Sequence, residues 1–205
     1  VYGIGPGTPS ELCVRVNAVE LARFAALSQE AGLVPIIEPE VLMDGPHRLE
    51  HSAEVTGHVL QIVFDELHLH RVCLEDLLLK TNMVLSGYAC LDQATPDVTA
   101  LWTVRCLEHH VPAAVPGVVF LSGGQSEEVA TVNLDAINRR GGHPWELSFS
   151  FGRALQSSAL SAWANEPTDV DTAQGEFLRR AGATAAARTG SYVPSESLAT
   201  VGAHV

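Results

Sequence analysis

Basic charge is scarce in this chain. Lysine and arginine together number 12 of 205 residues, against 24 aspartates and glutamates, which leaves a net charge of −12 with histidine neutral. No basic block rises above that background, so a nucleic-acid surface and an anionic-membrane surface are both excluded as partners. An anionic ligand would need a local cluster of donors working against the overall field. Cysteine is also sparse: Cys13, Cys73, Cys90 and Cys106 show no C-x-x-C spacing. That usage predicts reduced thiols, a cytoplasmic setting and no secretory leader. No apolar run approaches the length needed to span a membrane. What is present is ordinary for a globular core, with 46% hydrophobic and 18% charged residues.

Four segments share one form, an apolar run with polar residues at its C-terminal end, then a turn and an amphipathic helix. They are VPIIEPE (34–40), LLLKTNMV (77–84), GVVFLSGG (117–124) and WELSFSFG (145–152). The helix after the first spans about 49–69, with Val55, Val59, Ile62, Val63 and Leu67 at helical spacing. The second helix starts at Thr95-Pro96, a hydroxyl cap followed by a first-turn proline, and turns Val98, Leu101, Trp102 and Leu107 inward. The third opens with Glu127 and Glu128, whose charge complements the helix dipole. The fourth is RALQSSALSAWANE, and a further helix runs upstream from Pro9 to Ala31, closed by Gly32. Trp102, Trp145 and Trp163 sit on apolar faces and read as core.

The spacing is regular. Glu38 to Lys80 is 42 residues, and Lys80 to Ser122 is another 42. Strand, crossover helix, strand at that interval predicts parallel βα units. VYGIG at the start reads as the back half of one more strand, giving about five. The fold class is therefore α/β, with a βα barrel, the (β/α)8 TIM barrel, as the favoured form and its chemistry at the strand C-terminal ends. Residues 1–174 read as the barrel part and its terminal helices. Residues 175–205 read as a helix remnant and a flexible tail from about Gly190.

Two carboxylates, Glu38 and Glu40, end the first run one proline apart, and positions two apart in a strand share a face. Lys80 ends a strand of three leucines. A lysine held in apolar surroundings is a usable amine nucleophile for a carbonyl, and the carbinolamine that forms then needs a nearby proton carrier. Ser122, Gly123 and Gly124 place two glycines between strand and helix, where backbone can approach an anion. Arg153, directly after Gly152 at the next strand end, suits bidentate phosphate recognition. Histidine offers a competing metal reading through His68 and His70, His109 and His110, or His47, His51 and His58. Most of these fall on polar helix faces and no cysteine or aspartate joins them at ligand spacing, so no metal is assigned.

With Glu38, Glu40, Lys80, SGG and Arg153 in order, the chain resembles the class I fructose-bisphosphate aldolase family, animal type. VPIIEPE, LLLKTNMV, FLSGGQSEE, NLDAIN and FSFGRALQSSALSAW carry the likeness over nearly the whole length. The resemblance implies a (β/α)8 barrel assembled as a homotetramer, working in glycolysis without metal or other cofactor. It implies reversible cleavage of fructose 1,6-bisphosphate to dihydroxyacetone phosphate and glyceraldehyde 3-phosphate. Carried over by motif, Lys80 is the Schiff-base lysine and Glu38 the proton carrier with Glu40 in support. Ser122, Gly123 and Gly124 form the phosphate loop, and Ser150, Gly152 and Arg153 face it as substrate-phosphate contacts.

The resemblance also implies that this is the C-terminal portion of the barrel, since the family's first three strands and a strand-borne lysine and arginine would lie before Val1. Thr81 replaces the usual proline after the Schiff-base lysine, Phe151 replaces a tyrosine, and Val205 stands where animal-type members end in tyrosine. The chain alone is therefore expected to be inactive and poorly soluble, with unpaired strand edges. The alternatives are a non-catalytic scaffold that binds cytoskeletal partners, as relatives do, or another Schiff-base phosphosugar barrel.

Overall fold

A computed structural model describes residues 1–194 of the chain. Three helices begin where short hydroxyl side chains satisfy the first free amides. Ser10 Oγ accepts from the Cys13 amide at the start of α1 (Glu11–Glu30), and Thr95 Oγ1 from Val98 at the start of α3 (Pro96–His110). Ser126 Oγ does the same for Val129 at the start of α4 (Glu127–Arg140). The remaining helices are α2 (Leu49–Leu69), α5 (Arg153–Asn165) and α6 (Val170–Arg188).

Between them run β1 (Ile36–Ile37), β2 (Leu78–Thr81), β3 (Gly117–Phe120) and β4 (Glu146–Phe149). All pair in parallel and in chain order. A sheet whose order never reverses sends each right-handed crossover the same way, so its helices gather on one face. That is the winding of a βα barrel rather than of a doubly wound sheet, and the parallel α/β reading holds. The fifth strand expected at Val1–Ile4 is reduced to one bridge, with the Tyr2 amide on Glu40 O and the Leu42 amide on Tyr2 O, both at 2.8 Å.

Register explains burial. Ile37, Leu79, Val118 and Leu147 lie in one row, point toward the helices and are buried. The row before them holds Ile36, Leu78, Gly117 and Glu146, and the row after them Lys80, Val119 and Ser148; both face the opposite side. That side is open: Ile36 is 48% exposed, and Leu33 and Val34 beside it are exposed as well.

Three expectations change. Val55, Val59, Ile62, Val63 and Leu67 of α2 are buried as expected, but Val98 and Leu101 of α3 are exposed. The helix is turned so that Thr103 faces in, because its Oγ1 accepts from the Val84 amide at 3.0 Å where β2 gives out. Trp145 is core and donates to Pro112 O at 3.0 Å, and Trp102 is half-buried, whereas Trp163 is 54% exposed. Its helix meets α4 and α6 through small residues such as Ala154 and Ser158. Finally, the boundary expected at 174 falls inside α6, which is continuous and buries Arg180, Thr184 and Ala187. The expected tail is held at its start: the Ser191 amide bonds Ala186 O at 3.0 Å and the Tyr192 amide bonds Asp135 Oδ1 at 2.8 Å. Expectations for 195–205, including Val205, lie outside the described residues.

Candidate active site

Because Ile37 pairs with Leu79, the residue after β1 stands beside the third residue of β2. Those residues are Glu38 and Lys80, and Lys80 Nζ lies 2.9 Å from Glu38 Oε1. The lysine side chain is 22% exposed and the glutamate 44%. At the end of its apolar strand Lys80 thus meets a carboxylate. A lysine must shed its proton to attack a carbonyl, and Glu38 is within reach to accept it.

Glu40 does not share this contact. Its amide donates to Glu38 O at 3.1 Å, a tight three-residue turn around Pro39 that takes the chain out of strand alternation. Its own carbonyl is taken up by Tyr2, and among the described residues its carboxylate makes no ion pair or hydrogen bond. The two acids therefore do not act on Lys80 as an equivalent pair. One signal in the sequence was passed over: Lys80 is the only lysine in the chain.

One strand further on, Ser122 to Gln125 form a turn closed by the Gln125 amide on Ser122 O at 3.0 Å. Gly123 has φ 60° and Gly124 φ 91°, left-handed at both central positions, which only the type I′ turn demands. Gln125 is buried and anchors the turn, its Nε2 donating to Ser122 O and its Oε1 accepting from Asn133 Nδ2 at 2.7 Å. Among the described residues, the amides of Gly123 and Gly124 donate to no protein acceptor. They are free to receive an anion.

Arg153, the first residue of α5, lies beside this turn: a Cβ built on Gly124 would sit 3.9 Å from its Nη2. It forms no ion pair among the described residues. The Ser150 amide bonds Phe120 O at 2.8 Å, which carries β4's exit up to Gly152, the residue that precedes α5. Phe151 is buried, its ring centroid 5.5 Å from that of Phe149.

Two supporting residues escape sequence reasoning. Asn82 is buried, accepts from the Val41 amide at 3.0 Å and donates to Thr56 Oγ1 at 3.1 Å, which fixes the exits of β1 and β2 to α2. Tyr88 donates to Gly123 O at 2.7 Å. Both partners are tens of residues distant, so no local pattern announces them. Of the histidines, His58 pairs with Glu11 and His51 with Glu54. Among the described residues no three His, Cys, Asp or Glu side chains gather as metal ligands, and no helix is long and apolar enough to cross a membrane.

A singly wound parallel sheet with its polar groups at the strand C-terminal ends is the architecture of a βα-barrel enzyme. The family model for glycolytic class-I fructose-bisphosphate aldolase matches residues 1–204. The chain is 54% identical over 193 residues to cytosolic fructose-bisphosphate aldolase 4 of Arabidopsis thaliana, covering 94% of this chain and 49% of the relative. It is 51% identical over 198 residues to fructose-bisphosphate aldolase B of Mus musculus, covering 96% and 54%. In three dimensions it matches the Plasmodium falciparum aldolase solved with TRAP and a small-molecule inhibitor, with a TM-score of 0.92 and 48% identity, over 95% of this chain and 56% of that one. The chain belongs to the class-I fructose-bisphosphate aldolase family. It spans about half the length of the curated relatives it matches.

Proposed function

We propose that this chain carries the Schiff-base chemistry of a glycolytic fructose-bisphosphate aldolase, as the C-terminal part of a (β/α)8 barrel that works in the cytoplasm as a homotetramer. The observation that carries this reading is the 2.9 Å contact between Lys80 Nζ and Glu38 Oε1 at adjacent strand ends. With its proton passed to the carboxylate, the Lys80 amine adds to the ketone carbon of fructose 1,6-bisphosphate. The resulting carbinolamine takes a proton back from Glu38 and loses water to give a protonated imine.

The imine is then the electron sink. A base removes the proton of the C4 hydroxyl, the C3–C4 bond breaks and its electron pair moves into the imine as an enamine. Glyceraldehyde 3-phosphate leaves. Protonation of the enamine carbon and hydrolysis return dihydroxyacetone phosphate and free Lys80. Ser122, Gly123 and Gly124 receive one phosphate, while Ser150, Gly152 and Arg153 bind substrate phosphate from the neighbouring strand end. The carboxylate of Glu40, expected to support Glu38, makes no ion pair or hydrogen bond among the described residues, so the proton transfers to and from Lys80 rest on Glu38. The open sheet face at Leu33, Val34 and Ile36 favours a longer functional unit than these residues alone.

Borohydride trapping with dihydroxyacetone phosphate tests the reading. An adduct mapped to Lys80 and absent from Lys80→Met supports it, and within these residues there is one ε-amine for it to occupy. No adduct in a protein extended upstream to eight strands would sink it and leave the non-catalytic scaffold.

A further inference from the structure

Tyr88 sits where three strand exits converge. Its own amide donates to Met43 O at 2.9 Å, and its neighbours Gly87 and Ala89 donate to His47 O at 2.8 Å and Gly45 O at 3.0 Å. The loop after β2 is thus stitched to the loop after β1, and the backbone of Tyr88 is fixed. From there the phenol donates to Gly123 O at 2.7 Å, in the loop after β3. The ring lies against Gly124: a Cβ there would meet the phenol oxygen at 3.5 Å, Cε2 at 3.6 Å and Arg153 Nη2 at 3.9 Å.

The atom it holds is a particular one. Gly123 C=O and Gly124 N–H form the central peptide of the turn closed by Ser122 and Gln125. Flipping that peptide interconverts type I′ and type II′ turns, and both are open to a Gly-Gly pair at little cost. In a trans peptide the carbonyl and the following N–H point in opposite directions. Holding Gly123 O against the phenol therefore turns the Gly124 N–H to the other side, where no described protein acceptor meets it. A flipped peptide would present a carbonyl oxygen to the same space and repel an anion.

We infer that Tyr88 is a positioning residue: its phenol locks the central peptide of the glycine turn so that the Gly124 N–H is presented to a phosphoryl oxygen. The inference rests on the reading of this turn and Arg153 as an anion site. A tyrosine that merely packs the two loops together would need its ring and not its hydroxyl, and that difference can be measured.

The test compares the parent protein with Tyr88→Phe and Arg153→Ala, using inorganic phosphate as the probe. Binding is followed by calorimetry and the amide resonances of Gly123 and Gly124 by nuclear magnetic resonance. Loss of one hydrogen bond is expected to weaken phosphate binding by about five-fold in Tyr88→Phe. The Gly124 amide resonance should move even without phosphate, while the melting temperature stays at the parent value. A loop-packing role would leave that resonance in place. Phosphate affinity within about two-fold of the parent and an unmoved Gly124 amide would overturn the role of Tyr88. A parent protein that binds no phosphate, or binds it equally well after Arg153→Ala, overturns the anion-site reading and this inference with it.

Discussion

The ammonium of Lys80 reaches across the seam between two parallel strands to the carboxylate of Glu38, 2.9 Å away, and leaves Glu40 aside. Two acids that look equivalent in the sequence thus have unequal positions, and they should have unequal effects. Replacing a positioned proton carrier costs roughly 100-fold or more in rate. Glu38→Gln should lower turnover of fructose 1,6-bisphosphate by at least that order, and Glu40→Gln by markedly less. Steady-state assays of the two variants in the complete protein check this; equal losses would contradict the assignment.

The parts of this arrangement that were legible in the sequence were those set by local rules. The 42-residue interval fixed the parallel βα reading, and Thr95-Pro96 marked a helix start because cap and first-turn chemistry involve only neighbours. Lys80 and Glu38 were legible because each ends an apolar run. Much of what escaped depends on partners far along the chain. Thr103 turns inward for the amide of Val84, so Val98 and Leu101 turn out. Glu40 escapes for a local reason, an i-to-i+2 bond around Pro39 just past the end of the strand at Ile37. Glu127, read only as an acid suited to a helix start, is also buried by α5 and α6.

That burial carries a stability prediction. Arg180, 1% exposed on α6, places its Nη2 2.7 Å from Glu127 O and 2.6 Å from Thr131 Oγ1, with its Nε 3.4 Å from the Glu127 carboxylate. Glu127 in turn accepts from the Ser158 amide at 2.8 Å and from the Ser158 hydroxyl. Three helices are tied through one ion pair, and removing one member strands the other charge. Arg180→Met should cost about 3–5 kcal/mol in urea unfolding, and pairing it with Glu127→Leu should recover part of that loss. Truncation at 174 removes Arg180 as well and should abolish cooperative unfolding.

Alkaline pH gives a third prediction. Cys106 is buried on α3 with Sγ 3.8 Å from Ala53 O, and burial pushes its thiol from 9.0 up to about 12. Between those values the unfolded chain has lost a proton that the folded chain keeps. Stability is therefore complete below pH 9 and falls as pH rises toward 12, at about 1.4 kcal/mol per pH unit. Tyr2, raised from 10.0 to about 12 chiefly by burial, adds a second fall that begins only above pH 10. Between pH 9 and 10, urea titrations of Cys106→Ala should slope downward less steeply than the parent, the remainder coming from Cys73, whose thiol is also held above its ordinary value by hydrogen bonds to Glu75 and Asp76. An unchanged slope would place the titrating group elsewhere.

The loop stitching that fixes Tyr88 depends on Gly87. A methyl added there would overlap the Gly45 carbonyl oxygen and come within 3.0 Å of the His47 ring. The obstacle is backbone, so the loop after β1 and the loop after β2 must part rather than a side chain swing away. Forced overpacking of this kind costs about 1–3 kcal/mol, and Gly87→Ala should lower stability by that amount. It should also carry the Tyr88 phenol off Gly123 and weaken phosphate binding as Tyr88→Phe does. The double variant Gly87→Ala, Tyr88→Phe should then bind phosphate no more weakly than Gly87→Ala alone, because both changes release the same peptide. Fully additive losses in calorimetry would show that Gly87 serves the anion site by another route.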